Sequence, residues 1–288
     1  MPEYYKLVYP DTQYSDTTAV TADKPLIKQR EGVAPAGELL LQETADEQDL
    51  SFDVETILYK ATIRNKNGGS FTFFELNNHA LNDSELVNLI NDRNQQNLDV
   101  SFRSVDGDLI TLSSGWKTDN RFDINVFTGS KTVSFYKTIN NKKITKDLTF
   151  YPNRYVVDII INMSRASEYI SQNVASISWQ NGLPLTEPNI NDELTYYSAV
   201  VYQGDESYYP KTKPKGQAKL EKMLYPTDWT GVRTKYFFSA LVPEEKAAGA
   251  EVLAIEEGNL KEYSVGLLFN TLSPVSYTHL TLPTNREV

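Results

Sequence analysis

From Ser51 onward the chain is written in short runs of alternating apolar and polar residues, each closed by a cluster of turn formers. Phe52 to Ile63 alternates with Ile57, Tyr59, Ala61 and Ile63 on one face, the two-residue period of a half-buried strand. Asn65-Lys66-Asn67-Gly68-Gly69 interrupts it, and Ser70 to Leu76 resumes. The Asn-Gly pair takes positive φ at little cost, which suits a hairpin reversal. Leu98 to Val105 and Asp108 to Leu112 flank Asp106-Gly107 as a second hairpin. Phe122 to Phe127, Lys131 to Ile139, Ile144 to Tyr151 and Tyr155 to Met163 follow, parted by Thr128-Gly129-Ser130, Asn140-Asn141 and Pro152-Asn153. Further β-type runs are Val174 to Trp179, Leu194 to Tyr202, Tyr236 to Val242 and Tyr263 to Phe269. Strands at this spacing predict an all-β antiparallel sandwich or barrel, not alternating strand–helix units.

Two short helices are expected within the β pattern. One lies between Ser84 and Asn94, where Asn82 with Glu85 resembles a capping box and Leu86, Leu89, Ile90 and Arg93 follow helical spacing. A lesser one lies in Pro243 to Glu251, since proline is tolerated in a first turn. Residues 1–50 have a different texture, rich in Thr, Gln, Pro and acidic residues, with Leu39-Leu40-Leu41 as their one apolar run. They read as an extended or disordered tether. The expected organisation is a tether over 1–50, a β domain over 51–272 and a separate tail over 273–288.

Composition narrows the function classes. The 28 Lys+Arg against 38 Asp+Glu leave a net charge of −10, which repels phosphate backbones and argues against a nucleic-acid partner. There are no cysteines, so disulfides, thiolate metal sites and thiol nucleophiles are excluded together, and the chain suits an oxidising compartment. No apolar run reaches the roughly 18–20 residues of a membrane helix. The N-terminus shows no basic region followed by an apolar one, so no signal peptide is expected and the chain reads as soluble.

The chemistry-bearing residues are sparse. Outside the tail His79 is the only histidine, and it reads as an ordinary loop residue. Asp106 with Asp108, Glu244 with Glu245 and Glu256 with Glu257 are sequence neighbours, not carboxylates facing each other across a cleft, and read as solvated surface. Asn189-Ile190-Asn191-Asp192-Glu193 offers oxygen ligands without the spacing of a calcium loop. Gly68-Gly69-Ser70 is too short for a phosphate loop and leads into a strand. No catalytic residue, cofactor site or metal site is therefore expected. Lys211, Lys213, Lys215, Lys219 and Lys222 form a basic run in an acidic protein, either a solvated loop or a patch for an acidic partner or anionic headgroups. Trp116, Trp179 and Trp229, with Tyr196-Tyr197 and Tyr208-Tyr209, suit either core filling or stacking on sugars and peptides.

The tail Val275 to Thr284 resembles the translation of a transposon-type sequencing-library adapter, with Asn285-Arg286-Glu287 as a variable index and Val288 as the last codon before a stop. The alternative is a natural β-rich tail. On the adapter reading the natural sequence is cut near Ser273, and His279 is excluded from any site.

Three stretches together resemble the periplasmic domain of the bacterial YidC-family membrane protein insertases. They are Val54 to Ile63 through Gly68-Gly69-Ser70, then Lys146-Asp147-Leu148-Thr149-Phe150 to Tyr155-Val156-Val157-Asp158, and finally Asp228-Trp229-Thr230-Gly231-Val232 with Lys235 to Pro243. In the last of these Trp229, Tyr236, Phe237 and Pro243 carry the pattern; Gly182-Leu183-Pro184-Leu185-Thr186-Glu187 adds to it. The resemblance covers roughly residues 51–272, with the motifs in the family's order. It implies a large two-sheet antiparallel super-sandwich of mutarotase-like topology, placed on the periplasmic side of the inner membrane. It also implies an N-terminal membrane helix and a C-terminal helical insertase core, neither of which is in this chain, so Met1 reads as an internal start. The final strand after Phe269 reads as missing. That would leave an unpaired edge and an aggregation-prone chain. The implied role is non-catalytic contact with Sec translocase components and nascent membrane proteins, with no cofactor. Two alternatives share the sandwich. An aldose-epimerase-like enzyme would need two histidines and a carboxylate for proton transfer, and a carbohydrate-binding module would use the exposed aromatics.

Overall fold

The computed structural model describes residues 49–81, 85–213, 217–258 and 260–283, so most of the expected tether lies outside the described residues. Twenty strands dominate it. The first group is β1 (Ser51–Thr56), β2 (Tyr59–Arg64), β3 (Ser70–Ala80), β4 (Leu86–Asn88), β5 (Asn97–Ser104), β6 (Leu109–Thr111), β7 (Lys117–Thr118) and β8 (Ile124–Val126). The long central hairpins follow as β9 (Lys131–Ile139), β10 (Lys142–Phe150), β11 (Val156–Asn162) and β12 (Ile170–Trp179). A short α-helix, α1 (Ile190–Tyr196), precedes β13 (Ser198–Gln203), β14 (Glu206–Tyr208), β15 (Lys219–Met223) and β16 (Thr227–Arg233). The chain closes with β17 (Phe237–Pro243), β18 (Gly249–Glu257), β19 (Leu260–Asn270) and β20 (Val275–Pro283).

These strands form three hydrogen-bonded sheets, in the orders β4-β3-β2-β1-β8, β14-β13-β16-β17-β20-β11-β10-β9-β7 and β15-β18-β19-β12-β5-β6. Pairing is antiparallel throughout except between β1 and β8. One joint between the five- and six-stranded sheets is made by a side chain. Asn97 at the start of β5 donates from Nδ2 to the Phe71 carbonyl at 2.8 Å and accepts from the Phe71 amide at 2.7 Å, reproducing a strand's two backbone bonds. All three sheets contribute to one continuous apolar core. Alternation drives this. On β10, Ile144, Leu148 and Phe150 point inward, and on β11 Val157, Ile159 and Ile161 do the same.

The expected all-β antiparallel fold is the observed one, with four local departures. The run Phe52 to Ile63 is a hairpin of β1 and β2, not one strand, and Ile57 sits exposed at its turn. No helix forms at 85–94: β4 and a turn occupy it, while Asn82 and Ser84 lie outside the described residues. Asn88 Oδ1 accepts from the amides of Phe74 and Ile90, and Asn94 Oδ1 accepts from the Asn91 amide. Such side chains compete with helical bonding for the same backbone groups. Pro243 to Glu251 is likewise the end of β17, a turn and the start of β18, held by mutual backbone bonds between Thr227 and Ala247. The helix that does form begins at Asn189, whose Oδ1 accepts from the Asp192 amide.

The strand read as missing has an occupant. Val275–Pro283 forms β20 between β11 and β17, so the nine-stranded sheet has no unpaired edge at that position. Tyr277 is buried there, edge-on to Phe269 at 5.9 Å.

Candidate functional site

The glycines of the first motif are structural. Gly68 and Gly69 take φ of +64° and +102°; a Cβ on Gly68 would lie 2.9 Å from the Trp116 ring, and one on Gly69 2.8 Å from Phe135. The turn they form aims the Asn67 carbonyl inward, where it accepts from Lys146 Nζ at 2.8 Å. Lys146 also donates to the Leu98 carbonyl at 2.6 Å and is fully buried in the inward row of β10. One amine therefore ties all three sheets together. Burial pushes its pKa down to about 7, against the opposing pull of Asp99.

The second and third motifs are also packing devices in large part. Tyr202 stacks on Trp229 at 5.5 Å, Phe238 meets Trp229 edge-on at 5.4 Å, and Gly231 leaves the room that the Phe238 ring fills. Phe237 is buried, Tyr236 is half-buried beneath Lys235, and Pro243 ends β17. His79 packs edge-on between Tyr155 at 6.2 Å and Phe237 at 6.1 Å, its Nδ1 buried without a hydrogen bond, and burial lowers its pKa. Trp116 and Trp179 are core residues, 1% and 3% exposed, so neither can stack on a ligand.

Two of the five lysines of the basic run have acidic partners. Lys219 pairs with Glu221 at 2.5 Å and Lys222 with Glu251 at 3.1 Å, while Lys211 and Lys213 lie in the preceding extended segment; Lys215 is outside the described residues. Burial pushes the Glu221 carboxyl up, and bonds from Lys219 and Tyr208 outweigh it, holding the group below its ordinary range.

A groove of about 590 Å³ lies instead between β4 and the segment Pro184–Thr186. Its floor and one wall are Leu86, Val87 and Asn88, with Glu75 from the neighbouring β3 and Leu81 and Glu85 at the rim. The other wall is Pro184, Leu185 and Thr186, and this segment is firmly held. The Gly182 carbonyl accepts from Trp179 Nε1 at 2.8 Å and from Asn94 Nδ2 at 3.0 Å. The fully buried Glu193 of α1 accepts from the amides of Thr186 and Glu187, each at 2.8 Å, and from Thr186 Oγ1 at 3.3 Å. A buried carboxylate with three donors is well satisfied, and it locks the wall from behind.

Comparison with known proteins decides the family. The model of the YidC periplasmic domain matches residues 51–276, most of the chain and nearly all of the β domain. The chain belongs to the YidC periplasmic-domain family. Relatives named membrane protein insertase YidC include those of Chlorobium phaeovibrioides, 28% identical over 68% of this chain, and Syntrophus aciditrophicus, 27% identical over 88%. That of Chlorobium limicola is 24% identical over 96% of the chain. The chain spans about a third to a half of the length of these YidC relatives, 34% in the first case and 48% in the last. Among solved structures, a putative aldose 1-epimerase from Escherichia coli K12 aligns over 82% of this chain and all of its own, at 6% identity and a TM-score of 0.47. No helix among the described residues is long and apolar enough to cross a membrane.

The residues that build the groove were only partly visible in the sequence of this YidC domain. Gly182 to Glu187 stood out as a motif, and the structure makes it a wall. Glu193 gave a readable signal, an asparagine cap followed by two acidic first-turn residues. Glu75 and Glu85 gave none.

Proposed function

We propose that this domain serves a membrane protein insertase on the periplasmic side of the inner membrane, holding nascent membrane proteins and Sec translocase components by non-covalent contact. The observation that carries the reading is the family match over 51–276, which coincides with the folded β domain. The geometry supports contact over catalysis. His79 is wedged between two aromatic rings, and the buried Glu193 carboxylate is turned into its own wall. Sugar stacking finds less support, since Trp229 already carries Tyr202 on one face and two other tryptophans are buried. The test is photo-crosslinking from surface positions of this domain within the full-length insertase during active translation. Adducts with nascent chains or Sec components are expected. Unimpaired insertion with no adduct from any position overturns the proposal.

A further inference from the structure

Strand β4 ends its sheet, with β3 paired to one side of it, and the groove is lined by β4, by Glu75 of β3 and by Pro184–Thr186. An end strand offers unpaired backbone donors and acceptors that an extended polypeptide can use, with side-chain pockets setting the preference. Here the side chains mix two characters. Leu81, Leu86 and Leu185 are large and apolar, and Leu81 and Leu86 are 43% and 37% exposed. Glu75 and Glu85 add carboxylates, and among the described residues lining the groove there is no lysine or arginine. Lys60 is the cross-strand neighbour of Glu75, but its Nζ pairs with Glu55 at 3.5 Å on the far side. The buried Glu193 carboxylate behind Thr186 and the net charge of −10 add to a negative field at this site. The opposite wall is preorganised by Glu193, Trp179 and Asn94, so little order has to be gained on binding.

We propose that this groove takes a short extended polypeptide segment in which large apolar residues alternate with lysine or arginine, added alongside β4. This deepens the polypeptide-contact reading above and rests on it. The apolar side chains would settle against Leu86 and Leu185, and the cationic ones would meet Glu75 and Glu85. Lipid surfaces and acidic peptides are disfavoured by the same carboxylates.

The test uses two labelled peptides of equal length, one alternating leucine with lysine and the other leucine with glutamate, followed by fluorescence anisotropy on the whole chain. Binding of the lysine peptide, weakened by added salt and at least roughly tenfold tighter than the glutamate peptide, is expected. The double substitution Glu75→Lys with Glu85→Lys should reverse the preference, whereas Lys211→Glu with Lys213→Glu should leave it unchanged. Hydrogen exchange on the unsubstituted protein gives a second readout free of folding effects: the lysine peptide should protect amides of Leu86–Asn88 and 184–186. Equal binding of both peptides, or protection confined elsewhere, overturns the groove assignment. In the full-length insertase, crosslinks to nascent chains that survive the Glu75 and Glu85 reversals sink the groove alone. Loss of every crosslink from the unsubstituted domain sinks the broader function as well.

Discussion

Lys146 makes stability depend on pH in an unusual direction. Its amine donates to two carbonyls, Asn67 at 2.8 Å and Leu98 at 2.6 Å, which matches the two N–H bonds of a neutral amine. An ammonium would bring a third proton and a full charge into a site with no exposure. Burial lowers the pKa from 10.5 in the unfolded chain to about 7 in the fold. Between those values the unfolded chain holds a proton that the folded one has released, so stability rises with pH. The contribution is complete above pH 10.5 and is lost as pH falls through 7. At 1.36 kcal/mol per pH unit the full gap is about 5 kcal/mol, and the interval from pH 7 to 9.5 should deliver about 3 kcal/mol. The buried phenols of Tyr59, Tyr197 and Tyr277 are held above their ordinary range by burial. They would cut stability above about pH 10, so the measurement stops short of that. Urea unfolding of the protein and of Lys146→Met across pH 7 to 9.5 should give curves that diverge by about 3 kcal/mol. Carbon-13 NMR of the lysine Cε groups should show one resonance titrating near 7. Parallel stability curves, with every Cε titrating near 10.5, would refute the argument.

Two further substitutions probe the joints of the fold. Asn97→Leu keeps the heavy-atom count and branching but strips the Phe71 amide and carbonyl of their partner, and should cost roughly 2–5 kcal/mol in urea unfolding, with the loss of protection centred on Phe71 in hydrogen exchange. Gly182→Ala places a Cβ 2.1 Å from the Tyr197 hydroxyl at a φ of +62°, and should cost about 2–4 kcal/mol by the same measurement while loosening the Pro184–Thr186 wall.

The strands were legible because alternation and turn chemistry agreed. Lys131 to Ile139 was read with its observed bounds, and Asn140-Asn141 adopts the two positive φ values, 44° and 61°, that a tight hairpin requires. Legibility failed where a side chain did a backbone's work. The spacing of Leu86, Leu89 and Ile90 satisfied a helix, but the last two are buried in the core while Asn88 and Asn91 tie up neighbouring amides. Nothing in a one-dimensional pattern distinguishes those outcomes. Among the lysines, Lys222 meets Glu251 across the pairing of β15 with β18, which the sequence does not disclose, whereas Glu221 lies two residues from Lys219 on the same strand. The groove was legible on one side only, because Gly182 to Glu187 is contiguous whereas Glu75, Glu85 and Leu86 meet it from another sheet. Lys146 was legible in principle, as a cation in the inward row between Ile144 and Leu148.

The position of β20 ties the folding of this domain to the order in which it is made. Strands β14, β13, β16 and β17 form one block and β11, β10, β9 and β7 another, and β20, which follows both in chain order, is the strand that zips the two together. A ribosome delivers the blocks as separate ribbons, each with a raw margin facing the vacancy, and the broad sheet becomes whole only when residues 275–283 have emerged.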